Sequence, residues 1–320
     1  MLTPERAERL RPVLDRFLEG ADLRARLPHD PVELVHSYDD PADIEVAGLL
    51  ASALAYGRVD LFKPLVAALL QRMGPSPARF VDALRESSDW AGLERFVYRF
   101  NVGADVACLL WAAGEARREH GGLGALFARC LSVADGSEDP LAVALARFTA
   151  WLKGRDFSSV IARLGPPRSL DHLLPGPATG GACKRLNLYL RWMVRGPDAV
   201  DFGVWAAQGV PKRALVIPLD THVARMAGNL GLTRRRDASW KTALDVTASL
   251  RQLDPDDPTK YDFALCHYGM SGACPPARRA DGCRACSLLG VCGPGPRVVR
   301  LGAIARRAGE APVARPLPVH

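Results

Sequence analysis

Cys274-Pro-Pro-Ala-Arg-Arg-Ala-Asp-Gly-Cys283-Arg-Ala-Cys286-Ser-Leu-Leu-Gly-Val-Cys292 gathers four of the chain's eight cysteines into 19 residues, spaced C-x8-C-x2-C-x5-C. Thiolates are soft ligands, and four that converge suit an iron–sulfur cluster or a tetrahedral zinc ion. The C-x2-C pair lets two sulfurs reach one metal from a single turn, while the longer arms return from either side. Disulfides fit short secreted chains, and this chain is long, with no apolar core of a signal peptide in Met1 to Arg9. Zinc sites often carry two C-x2-C knuckles; only one occurs here. Cys108, Cys130, Cys183 and Cys266 lie outside the cluster and are expected to be packed core thiols.

Outward from this loop, composition sets the class. A chain of 320 residues, 48% hydrophobic and 24% charged, is expected to bury a substantial core in two helical lobes. No apolar run of about 18 residues occurs, so no membrane span is expected, and the cytoplasm, where thiols stay available to metal, is the expected compartment. The net charge of +7 favours a polyanionic partner. Part of that excess lies in residues 297–320, where five arginines face Glu310, and residues 293–320 are expected to form a flexible basic tail.

Most of the chain has helical spacing. Thr3-Pro4, Asp40-Pro41 and Asp139-Pro140 each pair an N-cap with proline at the first helical position, and Asp30-Pro31-Val32-Glu33 has the form of a capping box. Pro12 would kink or delay the first helix. The segment from Ile44 to Tyr56 is apolar nearly all round and should be buried centrally. Gly74-Pro-Ser-Pro77 and Gly121-Gly122 separate later helices. Phe80, Trp90, Phe96, Phe100, Trp111 and Phe127 are expected in the core on helical spacing. The expected fold is all-α. Residues 1–40 and 200–292 would form the lobe carrying the cysteine loop, and 41–199 a second bundle.

Chemistry enters at Leu173 to Val194, where a Gly/Pro-rich turn feeds a helix with Leu186, Leu190 and Met193 on one face. Glycine backbone and free N–H groups at a helix start suit a phosphate. Lys184 falls on the first turn, where the helix dipole disfavours a cation. A neutral amine there would be a nucleophile; a phosphate-binding lysine beside Arg185 is the alternative. Asp220, in Val216-Ile-Pro-Leu-Asp-Thr-His-Val-Ala-Arg225, stands at or near a helix N-terminus, which favours its ionised form.

Taken in order, these stretches resemble the helix-hairpin-helix DNA glycosylase superfamily, in its endonuclease III-like branch with a C-terminal iron–sulfur loop. Leu174-Pro-Gly176 matches the opening of the family's hairpin, Asp220-Thr-His222 its Val-Asp-Thr-His segment, and Cys274 to Cys292 its [4Fe–4S] loop. The resemblance spans about residues 31–292. It departs in the eight-residue first arm of the cysteine loop, in the late Gly180 and Gly181, in the 36 residues from Lys184 to Asp220, and in Leu54, where relatives often place an amide. It implies an N-glycosylase that excises a damaged base from double-stranded DNA, expected to act as a monomer. The target nucleotide would be flipped into a cleft, with Lys184 and Asp220 catalytic and AP lyase chemistry possible through a lysine Schiff base. Gly176, Gly180, Gly181, Arg185, His222, Arg278, Arg279 and Arg284 would contact DNA. Tyr56 and Arg58 would line the base pocket. Cys274, Cys283, Cys286 and Cys292 would hold a [4Fe–4S] cluster, or zinc in its place. The rival expectations are a non-catalytic DNA-binding protein of the same fold and a zinc-stapled helical interaction protein.

Overall fold

The computed structural model describes residues 2–87, 90, 92–275 and 283–293. Fourteen α-helices and one short hairpin follow one another within them: α1 (Pro4–Glu19), α2 (Val32–Val35), α3 (Pro41–Ala53), α4 (Val59–Met73), α5 (Pro77–Ala83), β1 (Val97–Tyr98), β2 (Asn101–Val102), α6 (Gly103–His120), α7 (Leu123–Val133), α8 (Pro140–Lys153), α9 (Ser158–Leu164), α10 (Leu170–Leu173), α11 (Lys184–Val194), α12 (Thr221–Leu230), α13 (Trp240–Arg251) and α14 (Asp262–Met270). The chain is mostly helical, and none of the described helices is long and apolar enough to cross a membrane.

Caps set many of the helix starts. Thr3, Asp40, Ser76 and Asp139 each accept a backbone N–H of the first turn, and proline follows each one. Pro12 sits inside a continuous α1. Proline removes one N–H there, yet its apolar neighbours Leu10, Leu14 and Phe17 remain buried together.

The described residues form two compact units, one within 27–214 and one of those up to 26 with those from 215 on. Residues 27–40 and 200–214 therefore belong with the larger unit and not with the terminal lobe. The reason is local. His36 Nε2 lies 3.0 Å from the Val200 carbonyl, its ring meets Phe202 at 4.5 Å, and the Phe202 N–H donates to the Trp192 carbonyl at 2.9 Å.

In the larger unit α3 is the central rod, buried from Asp43 to Ala53. It packs on α2, α5, α6 and α11. Gly48 permits the approach of α11, since a Cβ there would come within 2.7 Å of Met193 Cε. Glu45 is the one acidic residue besides Asp43 within this buried span, and it is fully answered. Its carboxylate accepts the Leu123 and Gly124 N–H groups at the start of α7 and the Trp205 indole N–H, at 3.1, 2.9 and 2.6 Å. Burial still pushes its pKa up, against those donors.

In the terminal unit α12 packs on α14. Buried Leu10, Leu14, Val223, Met226, Leu250 and Leu265 form its core. Lys260 lies between Asp15 and Asp254 at 3.0 and 2.9 Å, and the Tyr261 hydroxyl donates to Asp15 at 2.6 Å.

Candidate functional site

The loop from Leu174 to Cys183 leads out of the four-residue α10 into α11. Pro177–Thr179 form one 3-10 turn, stitched by the Thr179 hydroxyl donating to the Gly176 carbonyl at 2.9 Å. Gly180 and Cys183 both take the left-handed conformation, at φ +79° and +49°. Gly180 adopts it freely. Cys183 holds it with its side chain buried, its thiol near the Pro175 and Gly181 carbonyls, and burial raises its pKa to about 12. Gly180 and Gly181 are exposed, and Gly176 is half-buried.

Lys184 opens α11 and is half-buried. Its ammonium has no hydrogen bond or ion pair to any described residue. Arg185, expected at a phosphate, is buried instead, at 9% exposure. Its guanidinium donates to the Ala53 and His172 carbonyls and stands 5.0 Å over the Tyr56 ring. With no carboxylate partner among the described residues, burial lowers its pKa to about 10.

Around Arg185 lies a cluster that only half follows the sequence expectation. Tyr56 is half-buried, and burial raises its hydroxyl pKa to about 12. That hydroxyl lies 2.7 Å from Asn101 Oδ1 and 3.0 Å from the Tyr98 carbonyl. His172 Nδ1 reaches the same Asn101 oxygen at 3.2 Å, and its ring stands edge-on to Tyr56 at 4.5 Å. Burial, then Arg185, holds the imidazole pKa below its usual value. Asn101 is fully buried and donates through Nδ2 to the Ser169 carbonyl at 3.0 Å. Asp105 braces the same segment by accepting the Arg168 and Ser169 N–H groups. Arg58, expected beside Tyr56, is exposed and paired with Asp60 two residues on.

Phe100 was expected in the core and is 59% exposed. It does not lie on a helix: it closes the β1–β2 hairpin, after Arg99 turns the chain at φ +50°. Trp90, Phe96, Trp111 and Phe127 are buried as expected, and Phe80 is half-buried. Phe100, His172, Asn101 and Arg99 are thus the cluster members that sequence reasoning missed. An arginine with positive φ at a turn without glycine leaves no trace in the sequence. Leu54, at the position where an amide was sought, is 1% exposed and packed.

The other expected residues lie in the terminal unit. Asp220 caps α12, its Oδ1 accepting the His222 and Val223 N–H groups, each at 2.8 Å. Its Oδ2 takes the Cys266 thiol at 3.3 Å, so Cys266 is a half-exposed neighbour of the carboxylate and not a core thiol. His222 Nδ1 is buried with no partner among the described residues. Cys108, Cys130 and Cys183 are buried as expected.

Within the cysteine loop, the Tyr268 hydroxyl donates to Cys286 Sγ at 3.1 Å and Asn229 Nδ2 to Cys274 Sγ at 3.5 Å. The Gly293 N–H returns to the Asn229 carbonyl at 2.8 Å, next to Cys292. Cys274, Cys283 and Cys286 all act on Tyr268, whose pKa is raised by burial first and by these thiols after. Among the described residues, no three ligating side chains form a metal-binding group. Two of the four sulfurs, those of Cys274 and Cys286, are thus approached by neutral N–H and O–H donors, the kind of donor a metal-bound thiolate accepts. Arg284 is exposed. Arg278, Arg279 and the tail from 294 lie outside the described residues, as does most of the loop's first arm.

No curated protein and no solved structure matches the chain. Its residues 30–271, which run from the N-cap side of α2 through α14 and take in Tyr56, Phe100, His172, Lys184 and Asp220, match the family described as "Protein of unknown function (DUF2400)", and the chain belongs to that family.

Proposed function

We propose that the chain is a DNA glycosylase of the helix-hairpin-helix type, excising a damaged base, with Lys184 as nucleophile and Asp220 as the charge that stabilises the sugar. The observation that carries this reading is the state of Lys184. A half-buried lysine nitrogen with no partner among the described residues follows directly on a loop whose Gly180 and Gly181 are exposed, as a group meant for an incoming ligand requires. In this reading the loop from Leu174 to Cys183 meets a phosphate through its backbone. The base leaves, and the Asp220 carboxylate, through the oxygen not held by the helix N–H groups, stabilises the positive charge that builds on the sugar. Lys184 then attacks C1′ as a free amine and gives up a proton, the C1′–O4′ bond breaks with O4′ taking a proton, and the resulting Schiff base permits strand cleavage by elimination of the 3′ phosphate. A [4Fe–4S] cluster on Cys274, Cys283, Cys286 and Cys292 would be a structural brace, with Tyr268 and Asn229 as donors to its sulfurs. A brown protein is expected, whereas a colourless one holding zinc would replace the cluster with that metal.

The test is borohydride trapping on abasic DNA together with a panel of oligonucleotides bearing single lesions. A covalent adduct that disappears in Lys184→Ala is expected. Asp220→Asn should lower excision by about 10²- to 10³-fold, the scale for losing a transition-state charge contact. An adduct that persists in Lys184→Ala removes the lysine from the mechanism, and undiminished excision in Asp220→Asn removes the aspartate. A second reading, a DNA-binding protein of this fold that excises nothing, is favoured by buried Leu54 in place of an amide. It predicts binding to every duplex in the panel and cleavage of none.

A further inference from the structure

Of the aromatic side chains in the chain, 10 Phe, 6 Trp and 6 Tyr, Phe100 is the one that is exposed. An exposed ring is ordinary on a loose loop, but this ring is held. Behind it the Tyr56 ring lies nearly parallel, at 14° and 6.4 Å between centroids, and His172 stands edge-on at 5.2 Å. Tyr56 and His172 are both anchored on the fully buried Asn101. Two more backbone hydrogen bonds, from the Arg168 and Ser169 N–H groups to Asp105, fix the segment next to His172. A hydrophobic ring kept rigid in water loses little further entropy when a partner covers it.

The chemistry around the ring limits that partner. Arg99 is exposed at the same turn, and its guanidinium lies over the Tyr98 ring at 6.0 Å. The lowered imidazole pKa leaves His172 uncharged at neutral pH, so the stack itself is neutral while its flank is cationic. A planar neutral face beside a guanidinium is the pairing that stacks a base and meets its phosphate.

We infer that Phe100, backed by Tyr56 and His172, is a stacking point for an unpaired nucleobase, with Arg99 meeting the adjoining phosphate. The inference rests on DNA as the ligand, but not on excision by Lys184 and Asp220. It assigns Phe100 to bases without a Watson–Crick partner, whether single-stranded, looped out or left opposite an extruded neighbour.

The test places 2-aminopurine in three oligonucleotides, one single-stranded, one looped out of a duplex and one fully paired, and adds the free 2-aminopurine nucleotide as a fourth arm. With the full chain, quenching is expected for the first two. Phe100→Ala should weaken their binding about 10-fold, the scale of one lost base–aromatic stack, while paired duplex shifts less than twofold. Phe100→Tyr should restore the affinity, and a thermal melt of both variants checks the fold. Equal weakening of paired and unpaired DNA overturns the inference. So does free nucleotide bound as tightly as the oligonucleotide, because the ligand is then a small molecule. Running the series in Lys184→Ala as well separates the two readings. Phe100-dependent quenching without excision in the wild type defeats only the glycosylase, and excision with quenching indifferent to Phe100 defeats only the stacking point.

Discussion

The two ends of α11 each bury an arginine, and they satisfy it differently. At the C-terminal end Arg191 is 2% exposed and donates from Nε and Nη2 to Asp201 Oδ1, both at 3.0 Å, while Arg195 reaches Asp201 Oδ2 at 2.7 Å. At the N-terminal end Arg185 has two carbonyls and a tyrosine ring, and no carboxylate among the described residues. Carbonyl oxygens satisfy N–H donors without cancelling a full charge, so the Arg191 end is electrically closed and the Arg185 end keeps a net positive field. Burying such a charge is costly unless it is matched. A fold that already carries a matched arginine two turns away on the same helix has no structural need of an unmatched one.

The comparison breaks most visibly at Asp201. Asp201→Ala would leave Arg191 buried without its counter-charge, and about 3–5 kcal/mol of stability should be lost, read from chemical denaturation. A loss under about 1 kcal/mol would mean that water reaches Arg191 and that the two ends are more alike than their burial indicates. Asp201 is itself pushed upward in pKa by burial, against the pull of Arg191 and Arg195. The pair holds the chain after α11 in place.

Arg185→Met gives a smaller and differently distributed effect. Two carbonyls lose their donors, which costs about 1–3 kcal/mol for buried groups, but removal of an unmatched charge offsets part of it. Net destabilisation should stay below that of Asp201→Ala, while, on the proposed DNA-binding reading, DNA affinity falls. Because the guanidinium is buried and touches no phosphate in this reading, the salt dependence of binding should keep its slope, whereas loss of a phosphate contact would reduce that slope by about one. A reduced slope would return Arg185 to the role its sequence position first indicated.

That reversal shows where sequence reading succeeds and where it stops. Helix starts were legible because a cap and its proline are adjacent in sequence, as at Thr3-Pro4, Asp40-Pro41 and Asp139-Pro140. The burial of α3 was legible because its apolar residues occupy every side of the helix. The partners of Glu45 were not, since they come from Leu123, Gly124 and Trp205, 78 to 160 residues away. Cys266 likewise looked like a core thiol until Asp220, 46 residues earlier, came to stand beside it. Phe100 failed for another reason. Two-residue strands have no period to detect, and the turn at Arg99 lacks the glycine that would have marked it. Lys184 and Asp220 were picked from motif order, and the chain places them at a helix start and at an N-cap.

The finest distinction concerns the proton on His172. Its folded pKa is lowered, by burial first and by Arg185 second, with Asp105 pulling the other way. The unfolded chain then binds more protons than the folded one in the interval between that lowered value and about 6.5. His172 therefore contributes stability that is fully present above about pH 6.5 and is lost as pH falls through the folded pKa, below which the difference stays constant. His120 in the same unit is lowered too, by burial and Arg129, and adds a slope of the same sign. His172→Gln should flatten the fall in stability on acidification in part, leaving the share due to His120. His172→Gln combined with Arg185→Met should flatten it no further, because the guanidinium acts on this proton only through the imidazole. Additional flattening in the double variant would show that Arg185 depresses, besides Tyr56 and Cys183, a further group that titrates in the acid range.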